Sequence, residues 1–278
     1  MAFLTSRDNP LIKTVIALQT RKGREKHQQF LAEGPHLLEE ALKSSYEVKA
    51  VLTKGDVQRQ GTIWERITAQ GIPVYAVAPK LFNELTETEN PQGLLGVVAR
   101  PPAPAGFPAV EPDFLGIGLV QIQDPGNLGT ILRTAWAAGF SHLFVTPGTV
   151  DPYSGKVVRA SQGGIFNLRL YHVSLPALLS WAEEQRIKVW AADPDGPLLY
   201  FQADYTGPTL FLFGNEAHGF ALAGSLTPAV VKRVRIPLPG GADSLNVGIA
   251  AGIMLFEAVR QRFERELPAG KLREKGVE

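Results

Sequence analysis

The stretch FLGIGLVQIQDPGNLGTILRTAWAAGFSHLFVT (114–146) decides the fold class, because it contains two buried strands and a helix between them. Residues 114–121 and 142–146 are continuous apolar runs, which is typical of strands covered on both faces in a parallel sheet. Between them, apolar residues recur with helical spacing, and they predict a helix over 128–138 with Asn127 as its N-cap. The stretch therefore predicts a strand–helix–strand unit of an α/β fold.

The rest of the chain repeats this alternation of strands and helices. Residues 1–99 alternate as a smaller α/β layer, and the C-terminal part adds further continuous apolar runs. We therefore predict a C-terminal parallel-sheet α/β domain and a smaller N-terminal α/β domain. The further C-terminal strands are predicted at 187–192, 209–213 and 233–237, and the further helices around 176–185 and at 246–264.

A proline-rich segment separates the two parts. RPPAPAGFPAVEPD (100–113) holds five prolines, which exclude a regular helix or an interior strand. We interpret it as a semi-stiff linker. The predicted division is an N-terminal domain over 1–99, the linker, a C-terminal domain over 114–267 and a charged tail over 268–278.

Composition excludes several classes of protein. The 278 residues include no cysteine, so disulfides and thiolate chemistry are excluded, and the five histidines have no metal-ligand spacing. No metal is expected. No apolar run is long enough to span a bilayer and the N-terminus lacks a signal-peptide core, so we expect a cytoplasmic protein that does not enter a membrane.

The net charge of +1 is not that of a typical nucleic-acid binder, but its distribution is uneven. Residues 1–30 carry six basic and two acidic side chains, a local net charge of +4, and four of the six basic ones fall in TRKGREK (20–26). This segment is either a solvated helix end or a small phosphate-contacting patch.

Three predicted strand ends carry more polar residues than loop closure needs. They are VQIQDPGNLGT (120–130), FLFGNEAHGF (211–220) and VRIPLPGGADSLNVGIAAG (234–252). Carboxyl ends of parallel strands are where ligands bind in open α/β sheets. Glu216 directly follows a buried strand, so its carboxylate needs a partner, and Arg133 is a candidate. Phosphate-loop and nucleophile-elbow motifs are absent, which weakens the nucleotide-hydrolase and esterase interpretations.

These three segments resemble the three signature motifs of the SpoU (TrmH) family of RNA ribose 2′-O-methyltransferases. The similar residues are NLGTILRTA (127–135), FGNEAHG (213–219), and IPL (236–238) followed by SLNV (244–247). KVVRASQGG (156–164) also resembles a segment of the family. Three N-terminal segments resemble the substrate-binding domain of many members, namely LTSRDNPLIKT (4–14), FLAEGPHLLEEAL (30–42) and NPQGLLGVV (90–98). Gly248 departs from the family, which often has serine there.

The resemblance implies a catalytic domain with a deep trefoil knot, a homodimer formed through it, and S-adenosylmethionine as the methyl donor. It assigns catalytic roles to Asn127, Arg133, Glu216, Ser244 and Asn246. It places the donor against Thr146, Phe213, Gly214, Asn215, Gly219, Ile236, Leu238, Ser244 and Leu245. The residues expected to bind RNA are Arg7, Arg21, Lys22, Arg24, Lys26 and Arg159.

Arg133 is expected to position the 2′-hydroxyl electrostatically, since an arginine is a weak general base. Glu216 is expected to orient Arg133. The separate N-terminal domain favours ribosomal RNA of the large subunit over transfer RNA as the substrate. A non-catalytic RNA-binding protein on the same fold is the alternative from another class.

Overall fold

A computed structural model describes residues 2–57, 60–216, 219–220 and 230–266. By their contacts these residues fall into two compact units. The first comprises Met1–Pro102, Leu128–Arg133 and Asp151–Asn167, and the second comprises Ala103–Asn127, Thr134–Val150 and Leu168–Glu278. The predicted charged tail lies outside the described residues.

Strands and helices alternate along the described chain. The strands are β1 (Ala2–Leu4), β2 (Gln29–Glu33), β3 (Val48–Lys54), β4 (Val74–Val77), β5 (Leu94–Ala99), β6 (Leu115–Leu119), β7 (His142–Val145), β8 (Arg169–His172), β9 (Lys188–Ala192), β10 (Leu198–Leu199), β11 (Thr209–Phe213) and β12 (Val231–Arg235). The helices are α1 (Pro10–Leu18), α2 (Arg21–His27), α3 (Pro35–Lys43), α4 (Thr62–Ala69), α5 (Pro79–Leu85), α6 (Pro125–Ala137), α7 (Gly155–Ala160), α8 (Leu175–Glu184) and α9 (Val247–Glu266).

The first unit is built on a mixed five-stranded sheet in the order β1-β4-β3-β5-β2. β5 runs antiparallel to both β2 and β3, whereas β1, β4 and β3 are parallel. α1 begins where the Asn9 side chain accepts hydrogen bonds from the backbone N–H groups of Leu11 and Ile12. Its buried face of Ile12, Val15 and Leu18 packs into the core of this unit, and each such side chain contributes about 1.5–3 kcal/mol when fully buried.

Residues 151–167 also belong to the first unit, although they follow the linker in sequence. The rings of Tyr153 and Phe166 pack against Phe30, with centroid distances of 4.9 and 5.9 Å. The Tyr46 hydroxyl donates to the carbonyl of Ile165 at 3.1 Å. The segment is therefore fastened by aromatic packing as well as by hydrogen bonds.

The second unit is built on a seven-stranded sheet in the order β10-β12-β9-β11-β6-β7-β8, and every pair in it is parallel. The predicted parallel sheet is confirmed. Its register brings the carboxyl ends of β6, β11, β9 and β12 to one edge, because Leu119 pairs with Phe213 and Ala192 pairs with Val234. Whatever follows these strands must lie at that edge.

Two predicted boundaries were wrong. α6 begins earlier than predicted: its N-cap is Asp124, whose side chain accepts from the N–H of Asn127 at 2.8 Å, and Pro125 occupies the first turn. Asn127 is therefore inside the helix and its side chain is free for another role. β12 covers Val231–Arg235 instead of 233–237, since Pro237 cannot extend the strand.

No helix among the described residues is long and apolar enough to cross a membrane. The described residues also contain no group of three or more His, Cys, Asp or Glu side chains that could hold a metal ion.

Candidate active site

A cavity of about 450 Å³ opens at the carboxyl edge of the second unit's sheet. It is walled by the ends of β9, β11 and β12 and by the first turn of α9. Seven of the nine predicted donor-binding residues line it: Gly214, Asn215, Gly219, Ile236, Leu238, Ser244 and Leu245. The sequence prediction thus converges on one place in the structure.

The other two predicted donor-binding residues do not line this cavity. The Phe213 side chain is fully buried, and its carbonyl already accepts from the N–H of Val120 at 2.9 Å. The Thr146 hydroxyl is also buried and donates to the carbonyl of Leu119 at 3.1 Å. Both residues support the loops behind the cavity in this structure.

Three polar side chains on the cavity wall form a continuous hydrogen-bonded relay. The Asn127 amide nitrogen donates to Glu216 Oε1 at 3.0 Å, and the Asn246 amide nitrogen donates to Asn127 Oδ1 at 2.7 Å. Asn246 Oδ1 in turn accepts from the backbone N–H groups of Gly248 and Ile249 at the start of α9. This relay, Glu216–Asn127–Asn246, joins residues from the three sequence motifs.

Glu216 is the fixed acceptor at one end of the relay. Besides Asn127, it accepts from the backbone N–H groups of Gln123 and Asp124, each at 3.2 Å. Burial alone would raise the pKa of Glu216, but the hydrogen bonds from Asn127, from the backbone of Glu216 itself and from Gln123 and Asp124 outweigh it and hold the pKa below the ordinary value of 4.5. The carboxylate is therefore ionised at neutral pH.

The Glu216 carboxylate accepts hydrogen bonds from Gln123, Asp124 and Asn127. Its expected partnership with Arg133 stays a prediction. Arg133 is an exposed residue of α6, in the segment that clusters with the first unit. Its catalytic role stays a prediction.

The backbone beside Glu216 is tightly folded. Asn215 and Gly219 form an antiparallel bridge, with both N–H to carbonyl distances at 2.8 Å. A Cβ at Gly214 would come within 2.6 Å of the Gly219 backbone, so only glycine fits there. The Asn215 side chain donates to the carbonyl of Gln121, which itself has a positive φ of 56°. These contacts fix the floor of the cavity.

Asn246 and Ser244 both lie near the start of α9. Asn246 is the N-cap of this helix, because its Oδ1 accepts from the backbone N–H groups of Gly248 and Ile249. Ser244 is exposed and lines the cavity.

The predicted RNA-binding residues fall into three groups: one buried arginine, two exposed lysines and three arginines in ion pairs. Arg24 does not qualify as proposed: it is 5% exposed, pairs with Asp151 at 2.7 Å and donates to two backbone carbonyls. Its charge is neutralised inside the first unit. Of the others, Lys22 and Lys26 are exposed, while three arginines take part in ion pairs with carboxylates. These are Arg7 with Glu84, Arg21 with Glu25, and Arg159 with Glu33 and Glu87.

Sequence reasoning missed the contribution of β9 to the cavity. Ala192, Asp193 and Pro194 line it at the carboxyl end of that strand. The signal was available in KVWAADPDG (188–196), where a buried strand runs into a polar turn, as at the three strand ends that were singled out. Asp193 is the second carboxylate on the wall beside Glu216.

Comparison with known proteins agrees with this geometry. The SpoU rRNA Methylase family matches residues 115–256, and the MRM3-like substrate binding domain matches residues 9–96. A 23S rRNA (guanosine(2553)-2′-O)-methyltransferase of Bacillus subtilis is 34% identical over 256 residues, covering 92% of this chain and 98% of the relative. A 23S rRNA (uridine(2479)-2′-O)-methyltransferase of Streptomyces viridochromogenes is 34% identical over 268 residues, covering 93% and 92%.

A solved structure agrees as well. The AdoMet-bound rRNA methyltransferase from Sinorhizobium meliloti superimposes with a TM-score of 0.80 at 34% identity, over 93% of this chain and 97% of that one. The match covers both the sheet of the second unit and the smaller N-terminal α/β unit. The chain belongs to the SpoU rRNA methylase family and is an rRNA methyltransferase.

Proposed function

We propose that this protein transfers the methyl group of S-adenosylmethionine to a ribose 2′-hydroxyl of large-subunit ribosomal RNA. The observation that carries the proposal is the relay of Glu216, Asn127 and Asn246 on the wall of one cavity. The names of the relatives from Bacillus subtilis and Streptomyces viridochromogenes support the same reaction.

The residues around the cavity fit S-adenosylmethionine. Ile236, Leu238, Val247 and other apolar side chains offer walls for a flat adenine ring, and Gly214 lines the cavity without side-chain bulk. Two carboxylates suit a ligand that carries hydroxyls and positive charge. When bound, the donor supplies an electrophilic methyl group on its sulfonium.

The relay residues act as positioning groups. Glu216 is held by two backbone N–H groups and fixes the Asn127 amide, which in turn fixes Asn246 at the start of α9. An in-line methyl transfer depends on such alignment, since well-oriented reactants reach effective molarities on the order of 10⁵ M or more. Arg133 acts as a hydrogen-bond donor that orients the 2′-hydroxyl or a neighbouring phosphate, since a guanidinium has five N–H donors and no acceptor. Ser244 lies on the substrate side.

RNA binding is assigned to the N-terminal unit. The match to an MRM3-like substrate binding domain and the exposed Lys22 and Lys26 support this assignment. Arg21 directly precedes Lys22 in α2. Its ion pair with Glu25 is solvent-exposed and therefore weak. Contacts with phosphates would make binding steeply salt-dependent.

A homodimer is part of the same proposal. α9 leaves Ile249, Phe256 and Phe263 between 49% and 54% exposed, at a spacing of seven residues along one side of the helix. An apolar stripe of this length on a 20-residue helix is typical of a surface that a second copy of the chain covers. The trefoil knot implied by the resemblance and the cytoplasmic location expected from the sequence also belong to this proposal.

The proposal is tested with tritiated S-adenosylmethionine and, separately, unmethylated large-subunit ribosomal RNA and transfer RNA. Nuclease digestion and nucleoside analysis should find label in one 2′-O-methylated nucleoside of the ribosomal RNA. Label in transfer RNA alone would overturn the substrate assignment. No label together with no binding of S-adenosylmethionine would favour the non-catalytic RNA-binding alternative.

A further inference from the structure

Asp193 is a carboxylate on the cavity wall that neither the three motifs nor the relay uses. It follows the last residue of β9, between Ala192 and Pro194, and its side chain is 19% exposed. Its backbone N–H donates to the carbonyl of Val234 at 2.9 Å, which extends the pairing of β9 with β12 and fixes its position. The residue is therefore held at the same edge as Gly214 and Ile236.

Turn formation accounts for only part of the hydrogen-bonding capacity of the Asp193 side chain. DPDG (193–196) has the residues of a type I turn, and the N–H of Gly196 donates to the carbonyl of Asp193 at 2.9 Å. Asp193 Oδ1 also accepts from the N–H of Asp195 at 2.9 Å. An asparagine would form the same turn and the same side-chain bond. The second carboxylate oxygen and the negative charge are not needed for the turn.

The remaining acceptor capacity of Asp193 matches a pair of hydroxyl groups. A carboxylate offers about four lone-pair sites. One is used by Asp195 and one by Arg233, whose Nη1 lies 3.2 Å from Oδ2. About two sites are left, and two adjacent hydroxyls of a ribose can donate one hydrogen bond to each. Dinucleotide-binding sheets use an acidic residue on ribose hydroxyls in the same way.

The charge of Arg233 favours a pair of hydroxyl groups over a cation as the ligand of Asp193. An ammonium group at Asp193 would lie close to the guanidinium, and like charges disfavour each other, whereas hydroxyl groups carry no such penalty. The target ribose inside an RNA chain has its 3′-oxygen esterified, so it offers no free pair of hydroxyls. The methyl donor does.

We propose that Asp193 binds the 2′,3′-diol of the ribose of S-adenosylmethionine. This inference rests on the proposed function, because it takes the cavity to be the donor site. It adds a donor-specificity residue from β9 to the three motif loops. A donor without the diol should lose the contribution of this carboxylate.

The test measures binding by isothermal titration calorimetry with two probes, S-adenosylhomocysteine and 5′-methylthioadenosine. Both keep the ribose diol, but the second lacks the amino-acid part with its ammonium group. Asp193→Asn keeps the turn and removes the charged acceptor. We expect Kd to rise about 10- to 100-fold for both probes, as for loss of hydrogen bonds to a charged group. The matched control Asp195→Asn, on an exposed side chain outside the cavity, should stay within about twofold.

Two further variants separate the possible failures. Ala250→Leu fills the cavity from α9 and should abolish binding of both probes. Arg233→Met removes the ion pair and keeps the acceptor, so Kd should not rise. If Asp193→Asn binds like the wild type while Ala250→Leu does not bind, the donor site stands and the role of Asp193 is overturned. If neither variant matters, the site assignment in the proposed function fails. Weaker binding of S-adenosylhomocysteine alone would assign Asp193 to the ammonium group and overturn the diol.

Discussion

Replacing Asn246 separates the two tasks that this side chain performs. Its Oδ1 caps α9 through Gly248 and Ile249, and its Nδ2 donates to Asn127 Oδ1 at 2.7 Å. Asn246→Ala removes both. Loss of an N-cap costs about 1 kcal/mol and loss of one hydrogen bond costs about 1 kcal/mol, so we expect the free energy of unfolding to fall by about 2 kcal/mol. For a chain of this size that lowers Tm by about 4–8 °C.

Asn246→Asp removes only the relay. The carboxylate still caps α9, and its negative charge at the helix N-terminus offsets part of the about 1 kcal/mol lost with the relay hydrogen bond, so Tm should fall less than in Asn246→Ala. Asn127 would then have a carboxylate at each end, Glu216 and the new one, but only one amide nitrogen to offer. Neither orientation of its amide satisfies both. A shift of the site by about 1 Å is enough to lower the rate about 100-fold.

The assay is the initial rate of tritium transfer to RNA beside thermal unfolding of the same preparations. Asn246→Ala should lose both stability and activity, whereas Asn246→Asp should lose activity with a smaller loss of stability. The double variant Asn127→Ala/Asn246→Ala should be little less active than the less active of the two single variants, because the residues act as one unit. Wild-type kcat/KM in Asn246→Asp would refute the reasoning, since the relay would then be dispensable.

Three further outcomes are expected. Arg133→Ala should abolish methyl transfer and leave the calorimetric Kd for S-adenosylhomocysteine unchanged; loss of donor binding would contradict its role toward the RNA. Hydrogen bonds hold the pKa of Glu216 below 4.5, so its contribution to stability is complete above that pH and is lost as the pH falls through the lowered pKa. Because the carboxylate stays ionised between pH 5 and 9, profiles of rate against pH should show no step from Glu216 in that range. Arg24→Ala should destabilise the protein by about 3–5 kcal/mol in a denaturant titration, because Asp151 is left buried and unpaired, while Lys22→Ala should weaken only RNA binding.

Much of the second unit could be predicted from sequence, because burial on both faces leaves a direct trace. The strands β6, β7, β9 and β11 are continuous apolar runs, and each was predicted close to its observed position. The carboxyl ends of such strands must meet at one edge, and this is why the predicted donor residues converge on one cavity.

The elements that were missed depend on contacts far away in sequence. RKGREKH forms α2 although it has no apolar face. A Cβ at Gly23 would come within 1.8 Å of the Ala17 carbonyl, so glycine permits a close approach of α2 to the end of α1. The buried Arg24 is stabilised by Asp151, which is 127 residues away. Local charge alone suggested a solvated segment or a phosphate patch, and the buried partner reverses that interpretation for Arg24.

The candidate site shows a further limit of sequence reasoning, which concerns the direction of the hydrogen bonds between side-chain amides. Motif residues identify Glu216, Asn127 and Asn246, but an amide can point either way. Two ends decide the orientation here: a carboxylate that can only accept, and backbone N–H groups of α9 that can only donate. Both amides between them must therefore donate toward Glu216. This polarity requires two amides in series, and it explains why aspartate is acceptable at position 246 as a helix cap but not as a member of the relay.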